Sequence, residues 1–207
     1  MPQFFSLHPE HPQPRLIRQA AEIVRGGGLV AFPTDAAYAL GGHTGDARLL
    51  DRIRAIRGVD ERHLFTLMCR DLSEISTYAR VDNARYRLLK HTTPGPYTFI
   101  LEGTKELPRR VLHPKRKTIG LRVPHHPMVM ALLAELDEPL LTSTLLLPGD
   151  ELPLTDPDEI LRRLGKQVDL VLECGHCGVD LTTVVSLEDD AIVIVREGCG
   201  PLGPLGL

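Results

Sequence analysis

Threonine and arginine side chains recur in this chain where apolar runs begin or end. Thr34 follows the run Leu29-Val30-Ala31-Phe32 and Pro33, and Asp35 comes next. Thr118 and Arg122 bracket Thr-Ile-Gly-Leu-Arg, and Thr142 and Thr144 flank Ser143. Thr182 and Thr183 open another run, and Arg196 closes the last one. Hydroxyl and guanidinium groups suit carboxylate and phosphate oxygens, the guanidinium in bidentate geometry. Such a set makes an anion-binding pocket. It also fits ordinary strands, where Thr is frequent, so spacing alone leaves both readings open. A strand that stops at Pro33 and opens into Thr-Asp fits a ligand site past a strand's carboxyl end. It equally fits a plain strand-to-helix turn.

Other chemistries have no comparable support. The chain lacks a Walker loop, GxGxxG, GxSxG and HExxH. The pair Cys174-Gly175-His176-Cys177 is a lone CxxC, with Cys69 and Cys199 elsewhere. A structural zinc site wants four ligands, commonly two such pairs, so no metal is expected. Arg109, Arg110, Lys115, Arg116 and Lys117 form a basic cluster around His113. It reads either as a nucleic-acid contact or as a solvated loop.

These residues need a scaffold, and the periodicities supply one. An edge strand is expected over Gln3–Leu7 and a helix over Arg15–Arg25, which Gly26-Gly27-Gly28 should end. Asp46 is placed to cap a helix over Ala47–Arg57 with Leu49, Leu50, Ile53 and Ile56 as its buried stripe. Arg57 sits beside that stripe at the helix end and can turn inward to a ligand. Phe65–Cys69 reads as a strand, and Asp71–Tyr78 and Asp82–His91 as short helices. Strands follow at Tyr97–Leu101 and Thr118–Pro124, a helix at Pro127–Leu136, and a strand at Leu140–Leu147. Asp156-Pro157-Asp158-Glu159 starts a helix that Gly165 should end. The strands Val168–Glu173, Thr182–Leu187 and Ala191–Val195 lead to a Gly- and Pro-rich tail expected to fray. Because some strands adjoin directly, the expectation is α/β with a twisted mixed open sheet and flanking helices. No linker or repeat divides residues 1–207, so a single domain is expected, with its core at about 15–200.

Composition agrees with a globular chain. Of 207 residues, 43% are hydrophobic and 25% charged, and Trp is absent, so the core must be aliphatic. A formal charge of −3 gives no global basic field, and any RNA contact must come from a local patch. No apolar run approaches the ~20 residues of a membrane span, and the N-terminus lacks a signal-peptide pattern. A cytoplasmic location without membrane contact is expected.

Six segments occur in a telling order: PTDAAYALGG, PGPYTFIL, TIGLRVPHHP, TSTLLLPG, LTTVVSL and IVREG. Together they resemble the YrdC/YciO family, the threonylcarbamoyl-adenylate synthase superfamily, from about Arg15 to Gly200. FTLMCRDLSEISTYARVDN and RKTIGLRVP are similar to its YciO-like branch. The resemblance implies a single YrdC/RibB-like domain with a concave, positively charged face. It implies condensation of L-threonine, bicarbonate and ATP with Mg2+ to threonylcarbamoyl-AMP and pyrophosphate, for tRNA threonylcarbamoyladenosine formation. ATP is then a substrate, and no tightly bound cofactor is expected. The threonine side would be Thr34, Arg122, Thr142 and Thr182. The nucleotide side would be Arg57, Thr118, Thr144 and Arg196, with Arg57 stabilising phosphate charge.

Two departures bear on activity. The family's Lys-x-Arg is here Arg57-Gly58-Val59, and its Ser-Ala-Asn is Thr144-Leu145-Leu146. Each lost charged contact costs about 1.5–3 kcal/mol. A nucleotide- and RNA-binding protein with weakened synthase-type activity is therefore expected, RNA being double-stranded or tRNA on Arg109, Arg110, Lys115, Arg116 and Lys117. A fully active synthase, or a phosphate-ester hydrolase using the same pocket, are the alternatives.

Overall fold

A computed structural model describes residues 2–188 and 191–206. Its ten strands form one sheet. In chain order the elements run β1 (Gln3–Ser6), α1 (Pro14–Arg25), β2 (Val30–Phe32), β3 (Ala39–His43), α2 (Ala47–Arg57) and β4 (Thr66–Met68). Next come α3 (Leu72–Tyr78), α4 (Asn83–Thr92), β5 (Tyr97–Glu102), β6 (Thr118–Arg122) and α5 (Pro127–Leu136). The chain finishes with β7 (Leu140–Thr144), α6 (Pro157–Leu164), β8 (Leu170–Glu173), β9 (Thr183–Ser186) and β10 (Val193–Arg196). The strands lie in the order β1-β8-β2-β3-β7-β4-β6-β5-β9-β10, with β1/β8, β8/β2, β4/β6 and β5/β9 parallel and the other five pairs antiparallel, so the sheet is mixed.

Helix starts are set locally. The side chains of Asp46, Asp71, Asp82 and Asp156 each accept a hydrogen bond from a backbone N–H of the first turn. That satisfies donors which the helix itself leaves unpaired. At the far end of α2, Gly58 closes the helix at φ 61°, a left-handed conformation that a Cβ disfavours.

The two faces of the sheet are covered unequally. On one, α2, α3, α4 and α6 press Ile53, Ile75, Leu89 and Ile160 onto Leu40, Leu67, Phe99, Leu121, Leu141 and Val185. On the other, only α1 and α5 pack, with Ala20, Ala21, Val24, Val129 and Leu132 against Val30, Phe32, Leu140, Leu170 and Leu172. No residue of β5, β6, β9 or β10 joins that second cluster. The face of those strands is left bare beside α1 and α5, and it becomes the floor of a concavity.

Three expectations need correction. Phe32 does not lead into a helix. The chain turns over residues 33–38 and returns as β3, antiparallel to β2, with Phe32 opposite Ala39. The sequence Ala39-Leu-Gly-Gly-His has no β-branched residue, but its small side chains suit close packing. A Cβ on Gly42 would stand 2.8 Å from Leu49 Cδ1 of α2. The β7 strand ends at Thr144 rather than Leu147. The tail does not fray through Leu205: a short turn at Gly203–Leu205 buries Leu205 in the core, and Tyr97 Oη donates to Pro201 O at 2.7 Å. Hydrophobic Leu205 finds apolar partners that outweigh the tail's turn-rich composition.

Candidate functional site

Side chains alternate across a strand, so residues two apart share a face. The bare face therefore carries Thr66 and Met68 of β4, Gly120 and Arg122 of β6, and Thr142 and Thr144 of β7. Their register confirms this: Thr66 pairs with both Gly120 and Thr142, and Met68 with Arg122. Thr98 and Ile100 of β5 and Val184 of β9 continue the floor, and Arg196 lies opposite Val184. Above this floor lies a cavity of about 430 Å³, also walled by Ala36, Ala37, Arg57, His63, Arg116 and Ser143. Gly120 keeps the floor low, because a Cβ there would stand 2.7 Å from Thr66 Oγ1.

Four arginines reach this cavity: Arg57, Arg116, Arg122 and Arg196. Their counter-charges differ. Arg122 is 5% exposed and donates to the Asp35 carboxylate, which the turn after Pro33 supplies. Burial lowers the Arg122 pKa while Asp35 opposes that shift. Arg116 pairs with Glu188 at 3.0 Å. Arg57 Nη1 instead donates to Ser143 Oγ at 2.9 Å and to the Thr144 carbonyl at 2.5 Å. Arg196 donates from Nε and Nη2 to the Thr182 carbonyl, at 3.2 and 2.9 Å. These acceptors are neutral. Burial lowers the pKa of both groups, and Arg196 lowers that of Arg57 further by like-charge repulsion. Positive charge is thus concentrated at the Arg57–Arg196 end.

Of the residues singled out from the sequence, Arg57, Arg122, Thr142, Thr144, Thr182 and Arg196 come together on the wall. Thr34 and Thr118 are not part of it. Thr34 Oγ1 donates to Ala37 O at 2.7 Å and accepts from Ala36 N at 3.1 Å, closing the turn that places Ala36 and Ala37 on the wall. Thr118 starts β6 opposite Glu102, and its Oγ1 is buried without a partner. In the basic cluster, Arg116 lines the cavity. Arg109 and Arg110 lie on a 3-10 turn, with Arg110 donating to Gly45 O. Lys115 and Lys117 are exposed, Lys117 Nζ donating to Pro114 O at 2.6 Å. Leu146 contributes an apolar patch to the wall, whereas Val59 does not reach it.

Sequence reasoning missed His63, Ser143, Thr66 and Thr98. Thr66 and Thr98 are each a lone polar residue inside an apolar strand, and Met68 and Ile100 share their faces, so alternation gave no signal. His63 lies between elements and had none. Its Nε2 stands 2.9 Å from Ser143 Oγ. Burial first, then Arg57 and Arg54, push its pKa down to about 4 against a smaller opposing effect of Asp60. Both thiols of the CxxC pair are buried, with pKa values raised by that burial, and Cys177 Sγ donates to Thr34 O at 3.7 Å. Among the described residues no three His, Cys, Asp or Glu side chains converge as metal ligands. No helix there is long and apolar enough to cross a membrane.

Residues 22–198 match the Sua5/YciO/YrdC family model, described as telomere recombination. The chain belongs to this family. It is 56% identical to YciO of Escherichia coli strain K12 over 99% of both chains. The crystal structure of E. coli YciO superposes with a TM-score of 0.95, covering 99% of each chain. The threonylcarbamoyl-AMP synthase of Halorhodospira halophila is 30% identical, over 86% of this chain and 92% of the synthase. In fold alone, Sua5 of Pyrococcus abyssi complexed with L-threonine is similar, with a TM-score of 0.89 at 23% identity. This chain covers 59% of that one, with 98% of itself aligned.

Proposed function

We propose that the cavity binds ATP and a threonine-like amino acid, and that the protein forms an aminoacyl-derived adenylate of the threonylcarbamoyl-AMP type at a reduced rate. The carrying observation is the pair Arg57 and Arg196, which face the cavity with neutral acceptors only and repel each other. A polyphosphate between them supplies the missing negative charge. At the other end Arg122 suits the amino-acid carboxylate; Thr142 also lines the wall, and Thr182 lines it where its carbonyl accepts from Arg196. Thr144 borders the phosphate side. Thr34 supports the threonine side by shaping the turn, and Thr118 extends the same strand beyond the wall.

No general base of high strength is needed. The carbamate forms from the amine and bicarbonate with loss of water, and its carboxylate attacks the α-phosphorus in line, expelling pyrophosphate. Positioning and guanidinium charge lower that barrier, and Mg2+ arriving with ATP adds to them. Leu146 and the absence of a second cation at position 59 explain the reduced rate. Purified protein with ATP, L-threonine, bicarbonate and Mg2+ should release pyrophosphate, dependent on threonine. Rates equal to those of an Arg57→Ala, Arg196→Ala variant would refute the activity.

A second activity draws on the position of Arg116. Arg116 lines the cavity and its chain neighbours Lys115 and Lys117 are exposed, so RNA held by these three would lie at the cavity's margin, whereas Arg110 turns to Gly45 away from it. The RNA is double-stranded or a tRNA, and its affinity should fall steeply with salt through counterion release. An affinity unchanged by replacing Lys115, Arg116 and Lys117 with Ala removes this reading.

A further inference from the structure

The Ser143 hydroxyl lies between two nitrogens. Arg57 Nη1 donates to its oxygen at 2.9 Å, and His63 Nε2 stands 2.9 Å away on another side. A guanidinium has no lone pair to accept with, so Ser143 Oγ is the acceptor toward Arg57. Its own proton is then free to point at His63 Nε2, provided the imidazole is uncharged and carries its proton on Nδ1.

The surroundings keep it uncharged. Burial disfavours charge most, Arg57 and then Arg54 of α2 repel a proton, and Asp60 in the following loop only partly offsets them. Phe65 of the β4 approach presents its ring edge-to-face at 5.2 Å. From β7, Ser143 offers only its hydroxyl. Arg196 of β10 acts on Arg57, whose pKa it lowers. The neutrality of His63 is thus maintained by burial and by Arg57, one of the two guanidinium groups that await an anion.

Resting on the anion-site reading, we propose that His63 is a further ligand-binding residue of the cavity, and that its imidazole gains a proton when a polyphosphate settles between Arg57 and Arg196. The anion's charge cancels the repulsion that excludes the proton. Protonated His63 donates from Nε2 to Ser143 Oγ, which already accepts from Arg57. The Ser143 hydroxyl proton must then turn toward the cavity, where a phosphate oxygen accepts it. The proton comes from solvent, and no covalent bond changes. An empty site presents Ser143 as a closed internal link, and an occupied one presents it as a donor.

Calorimetry of the intact protein with pyrophosphate, in two buffers of different ionisation enthalpy, tests this. Binding by the wild type should take up more protons than binding by a His63→Asn variant, the ligand's own titration being common to both. If His63 regains its ordinary pKa in the complex, wild-type affinity should rise about tenfold more than that of H63N between about pH 7.5 and 5.5. Equal proton uptake and equal pH profiles in the two proteins overturn the proposal while leaving the anion site intact. Failure of the wild type to bind pyrophosphate overturns the anion-site reading itself and the proposal with it. Should H63N not fold, the His63 ring resonance of the wild type gives the same answer: a titration midpoint unmoved by pyrophosphate refutes the linkage.

Discussion

At one end of the cavity Arg122 meets Asp35, and the two charges cancel inside the protein. At the other end Arg57 and Arg196 are held by hydroxyl and carbonyl oxygens, and their charges remain. Both arrangements fix a guanidinium in place, but they divide the work differently. An internally neutralised pair is costly to break because its surviving member is left buried and alone. Guanidiniums held by neutral groups contribute little to folding and much to attracting an anion. On the proposed reading the second end receives the phosphates, while at the first end Arg122 both meets the amino-acid carboxylate and serves as a fixture of the fold.

The largest effect should come from breaking the fixture. Arg122→Leu leaves the Asp35 carboxylate buried without its partner, and stability should fall by about 3–5 kcal/mol. Urea unfolding measures this, and adding Asp35→Leu should recover most of the loss. A single variant as stable as the wild type would erase the contrast between the two ends.

His63 gives the next effect. Its folded pKa of about 4 lies below the ordinary value of 6.5, so the unfolded chain binds the proton first as pH falls. Stability should thus drop between about pH 6.5 and 4, by up to about 3 kcal/mol. H63N should flatten that part of the stability–pH curve. An unchanged slope would show that neither burial nor the charges of Arg57 and Arg54 hold this ring's pKa down.

Arg57→Gln should behave in the opposite manner to the Arg122 variant. Its amide can still donate to Ser143, and the repulsion of Arg196 disappears, so stability should change by less than about 1 kcal/mol. Affinity for ATP should nevertheless fall by about 1.5–3 kcal/mol, roughly ten- to more than a hundredfold, read by calorimetry. A large loss of stability with unaltered affinity would reverse the roles assigned to the two ends. The smallest effect belongs to Glu188→Gln, which frees Arg116 of its partly exposed partner. Polyphosphate affinity should rise by only about 0.2–1 kcal/mol, and a fall would place Glu188 among the groups that help the ligand.

Local chemistry was legible at particular residues. Asp46, Asp71, Asp82 and Asp156 cap the helices they precede, since a cap needs only neighbours one turn away. The stripe Leu49, Leu50, Ile53 and Ile56 is buried, and Arg57 beside it does turn inward. The β3 strand was not legible, because Gly41 and Gly42 carry no strand signal and are placed by β7 and α2. Leu205 likewise depends on a core built by distant segments.

Sequence alone determined the alternation that puts Thr and Arg side chains on one face, the caps, and the ordered motifs of the family. It did not determine which arginine would be neutralised. Asp35 and Arg122 are 87 positions apart, and Arg57 and Ser143 are 86. Strand order brings each pair within hydrogen-bonding distance, and hydrogen bonds weaken within an ångström or so of stretching. The character of each end of the cavity is consequently a property of the tertiary structure, because only folding decides which charge finds a counter-charge.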